Sequence, residues 1–458
     1  VFKRFIIILL VFCFVYSFEV KAQPVPDGQR LRYIVDDLYW DGSIIIGGTT
    51  GAYLLNATTG EILDREFSYV TPENDFKQWA IHPDNTSWTW GSAEVWVSHI
   101  EENDQILRMH CPIGPQCSSW AMNDSRTPEE LDTNMCVFLD SLCRRYNGTP
   151  GFEYMDVVNE TVINGSWHTE NGGTPGVWEC PWYKIGLDTH DVPIYIVKAF
   201  EICDLLAPDI KLIYNHHEGP ENTSSWNLIK ETVLYLKALG LRVDGIGWQA
   251  HVDVGWESET TLNLLRDLID WAHSNDLEFH VTEASVWLTG NTQEDFEEQA
   301  VTYRAILGVL LEKRSTGNVG WNTWHIDDGH GWRADEYPSL FDVDYEAKPA
   351  YYAIQEALEE GAGVEDFTEG KPVAFKLYNN PNPFYSTTVI CFEMPTNGYV
   401  DLKIYNLSGQ EIADLGSGYE ESGKHMVEWS PLGLPAGKYF CLMEAEGFSV
   451  KREIILVK

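Results

Sequence analysis

Tyr154-Met155-Asp156-Val157-Val158-Asn159-Glu160 is a short apolar run that ends in an amide followed by a carboxylate. Val157 and Val158 are β-branched and suit a strand buried on both faces; strands of this kind in a parallel sheet expose chemistry only at their carboxyl ends. On these residues alone a strand running into an ordinary polar loop reads the same way. A second run of the same design, Glu278-Phe279-His280-Val281-Thr282-Glu283, shifts the balance, because it too delivers a carboxylate at its end.

Outward from these two runs, short apolar segments alternate with longer amphipathic ones from Ile44 onward. Strands are predicted at 44–47, 67–71, 105–110, 154–159, 211–214, 243–249, 277–282 and 319–324. Between them apolar residues recur at helical spacing, most clearly Leu264, Leu265, Leu268, Ile269 and Ala272. Thr127-Pro128-Glu129-Glu130 predicts a helix start, in which Thr caps, Pro fits the first turn and Glu130 closes a capping box. Eight strands alternating with helices over roughly 320 residues predict an α/β fold, a (β/α)8 TIM barrel, with function at the carboxyl ends of the strands. Strand counting does not prove closure, so a doubly wound open sheet is the alternative.

The chain has 458 residues, enough for one large domain and a small one, and its 44% hydrophobic and 13% aromatic content excludes general disorder. With 31 Lys and Arg against 70 Asp and Glu, the net charge of −39 repels phosphate backbones and anionic membranes. That argues against nucleic acid as a partner and is compatible with a neutral polysaccharide. Lys3 and Arg4, the apolar run 5–18 and the small-residue pattern Val20-Lys21-Ala22 read as a secretory signal peptide over residues 1–22. Cys13 lies in that segment, while Cys111, Cys117, Cys136, Cys143, Cys180 and Cys203 can pair in an oxidising compartment or stay as buried thiols. Cys136 and Cys143 stand seven apart on a predicted helix, roughly 10 Å along its axis, too far to bridge each other.

The predicted strand ends collect polar and aromatic residues. Thr71-Pro72-Glu73-Asn74-Asp75-Phe76-Lys77 follows the second, Arg108-Met109-His110 ends the third, and Tyr214-Asn215-His216-His217-Glu218 the fifth. The sixth ends in Trp248-Gln249-Ala250-His251, and the eighth in Trp324 with His325, Asp327, Asp328, Trp332 and Arg333 following. Any one of these is ordinary, since a lone strand-end His is more often structural than catalytic. Their recurrence is not, and a pair of strand-end carboxylates is what retaining glycoside hydrolysis requires.

Over about 44–358 these residues resemble glycoside hydrolase family 10, a family of retaining endo-β-1,4-xylanases and close relatives. The motifs that carry the resemblance occur in order: Thr71-Pro72-Glu73-Asn74 with Lys77, Arg108-Met109-His110, Asp156-Val157-Val158-Asn159-Glu160, Asp244-Gly245-Ile246-Gly247-Trp248-Gln249-Ala250-His251, Val281-Thr282-Glu283, and Leu340-Phe341-Asp342 with Lys348-Pro349-Ala350-Tyr351. The resemblance implies that Glu160 is the general acid/base, its pKa raised so that it can protonate the leaving oxygen, and that Glu283 is the nucleophile. Their carboxyl groups would then stand about 5 Å apart. It further implies Asn159 on the sugar's 2-hydroxyl, His251 orienting the nucleophile and Gln249 touching the sugar beside it. Glu73, Asn74, Lys77 and His110 are implied as the polar wall of the glycone side, Trp324 and Trp332 as aromatic packing against the sugar, and Asn215 as a polar group toward the aglycone side. No cofactor and no metal are implied, and His216-His217-Glu218 lacks the helical spacing of a zinc site. Four departures stand out: Gly114 where the family carries a Trp four residues after His110, Met155 in place of a Trp, His216-His217-Glu218, and the Gly- and Trp-rich loop 164–182. They leave both carboxylates in place and bear on which glycan and which chain end is accepted.

Residues 361–372, with the acidic Glu359 and Glu360 before them, read as a linker after a hydrolase domain spanning 23–360. Beyond it short strands at 389–394, 400–405 and 438–442, separated by Gly-bearing turns, predict a small all-β sandwich over 373–458. Leu377-Tyr378-Asn379-Asn380-Pro381-Asn382-Pro383-Phe384, Tyr405-Asn406-Leu407-Ser408-Gly409 and Leu434-Pro435-Ala436-Gly437-Lys438-Tyr439 resemble the C-terminal sorting domain of the bacterial type IX secretion system. That implies export by this machinery to the medium or the cell surface. A carbohydrate-binding module is the competing reading of the tail, and such a module usually offers an aromatic platform, whereas Trp429 is the tail's only Trp. The resulting expectation is a secreted, monomeric, retaining endo-β-1,4-xylanase. A β-glycanase of altered or exo specificity and a non-catalytic surface glycan-binding protein are the alternatives, the latter opposed by the presence of both Glu160 and Glu283.

Overall fold

The computed structural model describes residues 25–361 except Trp40, and 376–456 except 381–383, 385, 386, 408, 432, 446 and 447. The signal-peptide reading at 1–22 lies outside the described residues, and so does the linker reading apart from Gly361.

The first unit is built on β1 (Ile44–Thr50), β2 (Tyr69–Pro72), β3 (Ile106–Met109), β4 (Phe152–Asn159), β5 (Lys211–His216), β6 (Gly245–Trp248), β7 (Glu278–Trp287) and β8 (Val319–Thr323). All are parallel and each pairs with the next in order. The ring closes where β8 returns to β1, with Ile44 opposite Val319 and Gly48 opposite Thr323. This is a closed (β/α)8 barrel, which rules out the open sheet. Helices cover its outside. Glu259–Ser274 buries Leu265, Leu268, Ile269 and Ala272, the stripe its spacing predicts. Pro128–Tyr146 starts as its sequence dictates: Thr127 Oγ1 accepts from Glu130 N at 3.2 Å, and Glu130 Oε2 accepts from Thr127 N at 3.0 Å.

The inside of the barrel is partly ionic. Arg108, wholly buried, donates from Nε to Asp156 Oδ2 at 2.8 Å and from Nη2 to Oδ1, while Nη1 lies 3.1 Å from both Tyr69 Oη and His280 Nδ1. Burial works against the charge on Asp156, but Arg108 and His110 outweigh it and hold its carboxyl below the usual range. Glycine makes the space. A Cβ on Gly320 would stand 2.6 Å from His280 Nδ1, and one on Gly247 would stand 2.4 Å from Asn215 Oδ1 and 3.1 Å from Arg108 Nη2. Strand glycines thus admit large polar side chains that branched aliphatics would exclude.

The helix Pro349–Gly361 closes the first unit, running through Glu359 and Glu360 to Gly361. Ala350, Tyr351, Ile354 and Leu358 bury one helical face, and Arg304 pairs with Glu356 and Glu360 on the other. The tail holds β9 (Lys376–Asn380), β10 (Thr388–Met394), β11 (Gly398–Asn406), β12 (Glu411–Glu420), β13 (Gly423–Trp429), β14 (Gly437–Ala445) and β15 (Phe448–Leu456). They form two antiparallel sheets, ordered β9-β10-β13 and β12-β11-β14-β15, around one core that includes Ile390, Phe392, Leu402, Ile404, Met443 and Trp429. The eight cysteines among the described residues are thiols, with Cys143 Sγ and Cys203 Sγ in contact at 3.7 Å. None of the described helices is long and apolar enough to cross a membrane.

Candidate active site

A cavity of about 510 Å³ opens at the carboxyl ends of the strands. Glu73, Asn74 and Lys77 reach it from the turn after β2, His110 from the end of β3, Asn159 and Glu160 from β4, Gln249 and His251 from the turn after β6, Glu283 from β7, and Trp324 and Trp332 from the segment after β8.

Glu283 is 4% exposed. Asn215 Nδ2 donates to its Oε1 at 2.9 Å, His251 Nε2 lies 3.3 Å from Oε2, and His110 Nδ1 lies 3.7 Å from Oε1. Burial opposes charge on His110, but Cys111, Glu283 and a 2.9 Å bond to Asp156 prevail, and its pKa is pushed up to about 10. Glu283 therefore faces an imidazolium.

Glu160 carries a different set of partners. Asn159 Nδ2 donates to Oε1 at 3.0 Å and Gln249 Nε2 to the same oxygen at 2.7 Å, while the indole N–H of Trp178 donates to Oε2. The raised pKa expected for Glu160 is not what the structure gives. Burial alone would raise it, but His217, the Gln249 and Trp178 donors and Lys77 together bring it to about 2. The backbone at Glu160 is left-handed, φ 53°, as it is at Ala250 (φ 58°) and His325 (φ 62°), each just past a strand end. These turns aim the neighbouring side chains into the cavity.

Asn215 does not reach the sugar space. It is wholly buried behind the wall, where its amide donates to Glu283 Oε1 and to Asn159 Oδ1, 2.9 Å each, and its own oxygen accepts from Thr282 Oγ1 at 2.8 Å. The aglycone-side contact is corrected to a brace between the two carboxylates' supports, because β5 points this side chain inward. Glu73 pairs with His325 Nε2 at 3.4 Å; burial opposes its charge, but His325 and Lys77 hold its carboxyl low. Lys77 Nζ donates to Gln116 Oε1 at 2.5 Å. Trp324 is packed edge-on against His110 at 5.2 Å, whereas Trp332, 63% exposed, stands at the rim beside Trp287.

Sequence reasoning did not assign Trp178, Val177, Thr174, His217, Gln116 or Trp287, all of which line the cavity. Trp287 had a signal: Glu283, Ser285 and Trp287 alternate along β7 and so share one face. Trp178 had none, since nothing in a Gly- and Trp-rich loop says which ring turns inward. Among the described residues, no group of three His, Cys, Asp or Glu comes together as a metal site.

The family model for glycosyl hydrolase family 10 matches residues 36–357. The chain is 28% identical to endo-1,4-beta-xylanase B of Thermotoga neapolitana, over 66% of this chain and 83% of the relative. It is 30% identical to endo-1,4-beta-xylanase A of Caldicellulosiruptor saccharolyticus, over 68% of this chain and 92% of that one. The crystal structure of xylanase 10B from Thermotoga petrophila in complex with xylobiose superposes with a TM-score of 0.63 at 28% identity, covering 74% of this chain and 99% of its own.

Proposed function

Since the chain belongs to glycosyl hydrolase family 10, we propose that it is a retaining endo-β-1,4-xylanase. One observation carries the reading: Glu160 and Glu283 face one cavity, and a single relay, Asn159 to Asn215, braces both carboxylates. In the first step a Glu283 oxygen bonds to the anomeric carbon as the bond to the leaving oxygen breaks, and Glu160 gives that oxygen its proton. In the second step water loses a proton to Glu160 and its oxygen displaces Glu283 from the anomeric carbon. Asn159 reaches toward the 2-hydroxyl, and the flat faces of Trp324 and Trp332 suit the apolar face of a sugar ring. Xylan as the substrate is supported by the xylanase activity named for the relatives and by a net charge of −39, which a neutral chain tolerates.

An anomer-resolved NMR time course on xylan and xylo-oligosaccharides is expected to show the β-anomer first, the α-anomer following only by mutarotation. An initial α-anomer, or no turnover of xylan, overturns the proposal. Thr174, Val177 and Trp178 of the loop 164–182 line the same cavity as Glu160, and with Gly114 in place of an aromatic this supports a second reading in which products leave from a chain end. The product lengths in the same time course separate the two.

For the tail, the reading is a type IX sorting domain that takes the enzyme across the outer membrane of its host. It is supported by the Asn-Pro and Pro-Ala-Gly motifs and by burial of Trp429 in the core, away from any glycan platform. Deleting 373–458 is expected to leave xylan hydrolysis intact and to retain the enzyme inside the host cell; export of the truncated chain sinks the reading.

A further inference from the structure

We propose that Trp178 is a positioning residue for the acid/base: its indole N–H holds the oxygen of Glu160 that must give up the proton, and so biases this group toward the base it becomes in the second step. The proposal rests on the reading of Glu160 as the acid/base. Its geometric basis is the unequal loading of the two carboxylate oxygens. Oε1 already accepts from Asn159 at 3.0 Å and Gln249 at 2.7 Å, both set on strand ends, which fills its two lone pairs. A proton can sit only on Oε2, where Trp178 is the one hydrogen-bonded donor among the described residues.

The loop delivers that indole firmly. Trp178 N donates to Thr174 O at 2.8 Å, and Thr174 N to Trp178 O at 3.1 Å. The ring is held edge-to-face by His168 at 4.8 Å and His217 at 5.3 Å, and His168 Nδ1 is itself 3.0 Å from Glu160 O. The same loop sets Trp182 Nε1 on Gly114 O at 3.0 Å. From this loop it is Trp178 that lines the cavity, while Trp182 is buried behind it.

Donation to a carboxylate favours the ionised form, so the indole opposes loading of the proton for the first step and eases its capture in the second. The other charged or titratable groups around Glu160 are Lys77, His168, His216 and His217, with Glu283 across the cavity. His168 and His217 touch the Trp178 ring, so the informative change at Trp178 is one that keeps a ring against them.

The test is the pH profile of kcat/KM on a xylo-oligosaccharide for Trp178→Phe, which keeps a ring and removes the N–H. The basic limb, where Glu160 loses its proton, is expected to move up by about one pH unit, the size of one charge-assisted hydrogen bond. An aryl β-xyloside whose leaving group needs no proton should show no such move. Gly173→Ala is the second variant: a Cβ there would meet Trp178 O at 2.0 Å, on a backbone of φ +76°, and so displace the indole. It should give the same shift. A basic limb that stays in place in both folded variants overturns the proposal. If the wild type turns over no xylo-oligosaccharide, the functional reading has failed instead. The proposal is then decided by ¹³C NMR titration of the Glu160 carboxyl, which should still titrate higher in Trp178→Phe than in wild type.

Discussion

Glu283→Gln is expected to leave a folded protein whose turnover of xylan has fallen by on the order of 10⁵-fold or more, the scale on which loss of a covalent nucleophile acts. The exchange is nearly isosteric. The amide oxygen still accepts from Asn215, now 2.9 Å from Oε1, so the brace to Asn159 persists. What disappears is the negative charge, and with it both the nucleophilicity needed to bond to the anomeric carbon and the counter-charge to the His110 imidazolium 3.7 Å away. Steady-state assays at high enzyme concentration, together with a thermal melt to establish folding, check this. Activity within about 10²-fold of wild type would assign the nucleophile to another group.

Glu160→Ala is expected to behave differently, and the contrast separates the two roles. On xylan the loss should be about 10²–10⁴-fold, the usual worth of general acid catalysis, because the leaving sugar oxygen departs unprotonated. On an aryl xyloside with an acidic leaving group the first step needs no proton, so the covalent intermediate forms and then waits for a water that nothing deprotonates. Added azide needs no base and should restore turnover with a β-glycosyl azide as product. Truncation also opens room for it beside Gln249 and Trp178, both left with free N–H groups. No azide rescue, or rescue with an α-azide, would remove Glu160 from the acid/base role. Equal losses of kcat/KM, which reports the first step, on both substrates would do the same.

The barrel was legible because each of its strands is a short β-branched or aliphatic run ending in polar residues, and this is a local property. Closure was not legible. It depends on Ile44 meeting Val319, a pairing between the two ends of the barrel that no local pattern encodes. Glu160 could be found for the same reason as its strand, since it sits where an apolar run stops, whereas Glu283 lies inside β7, which runs on to Trp287 past the predicted end at 282. Asn215 looked equivalent from sequence, yet β5 turns it inward to brace its neighbours, and only the three-dimensional partners distinguish a sugar contact from a support. The protonation of Glu160 was misjudged for a related reason: burial can be guessed from sequence, but the donors that overrule it come from Gln249 and from a loop ring.

The left-handed backbone at Glu160, φ 53°, carries a consequence for how this molecule can age as a lineage. An L-residue held there costs roughly 1–2 kcal/mol that glycine would not, a noticeable part of a folding free energy of only about 5–15 kcal/mol. A chain released from the need to cut glycans would find glycine at this position easy on its backbone, with water entering the cavity to meet the donors left behind. Drift would therefore erase the acid/base early, while the barrel stayed whole. A glutamate standing in that strained place is a feature the fold alone has no reason to keep.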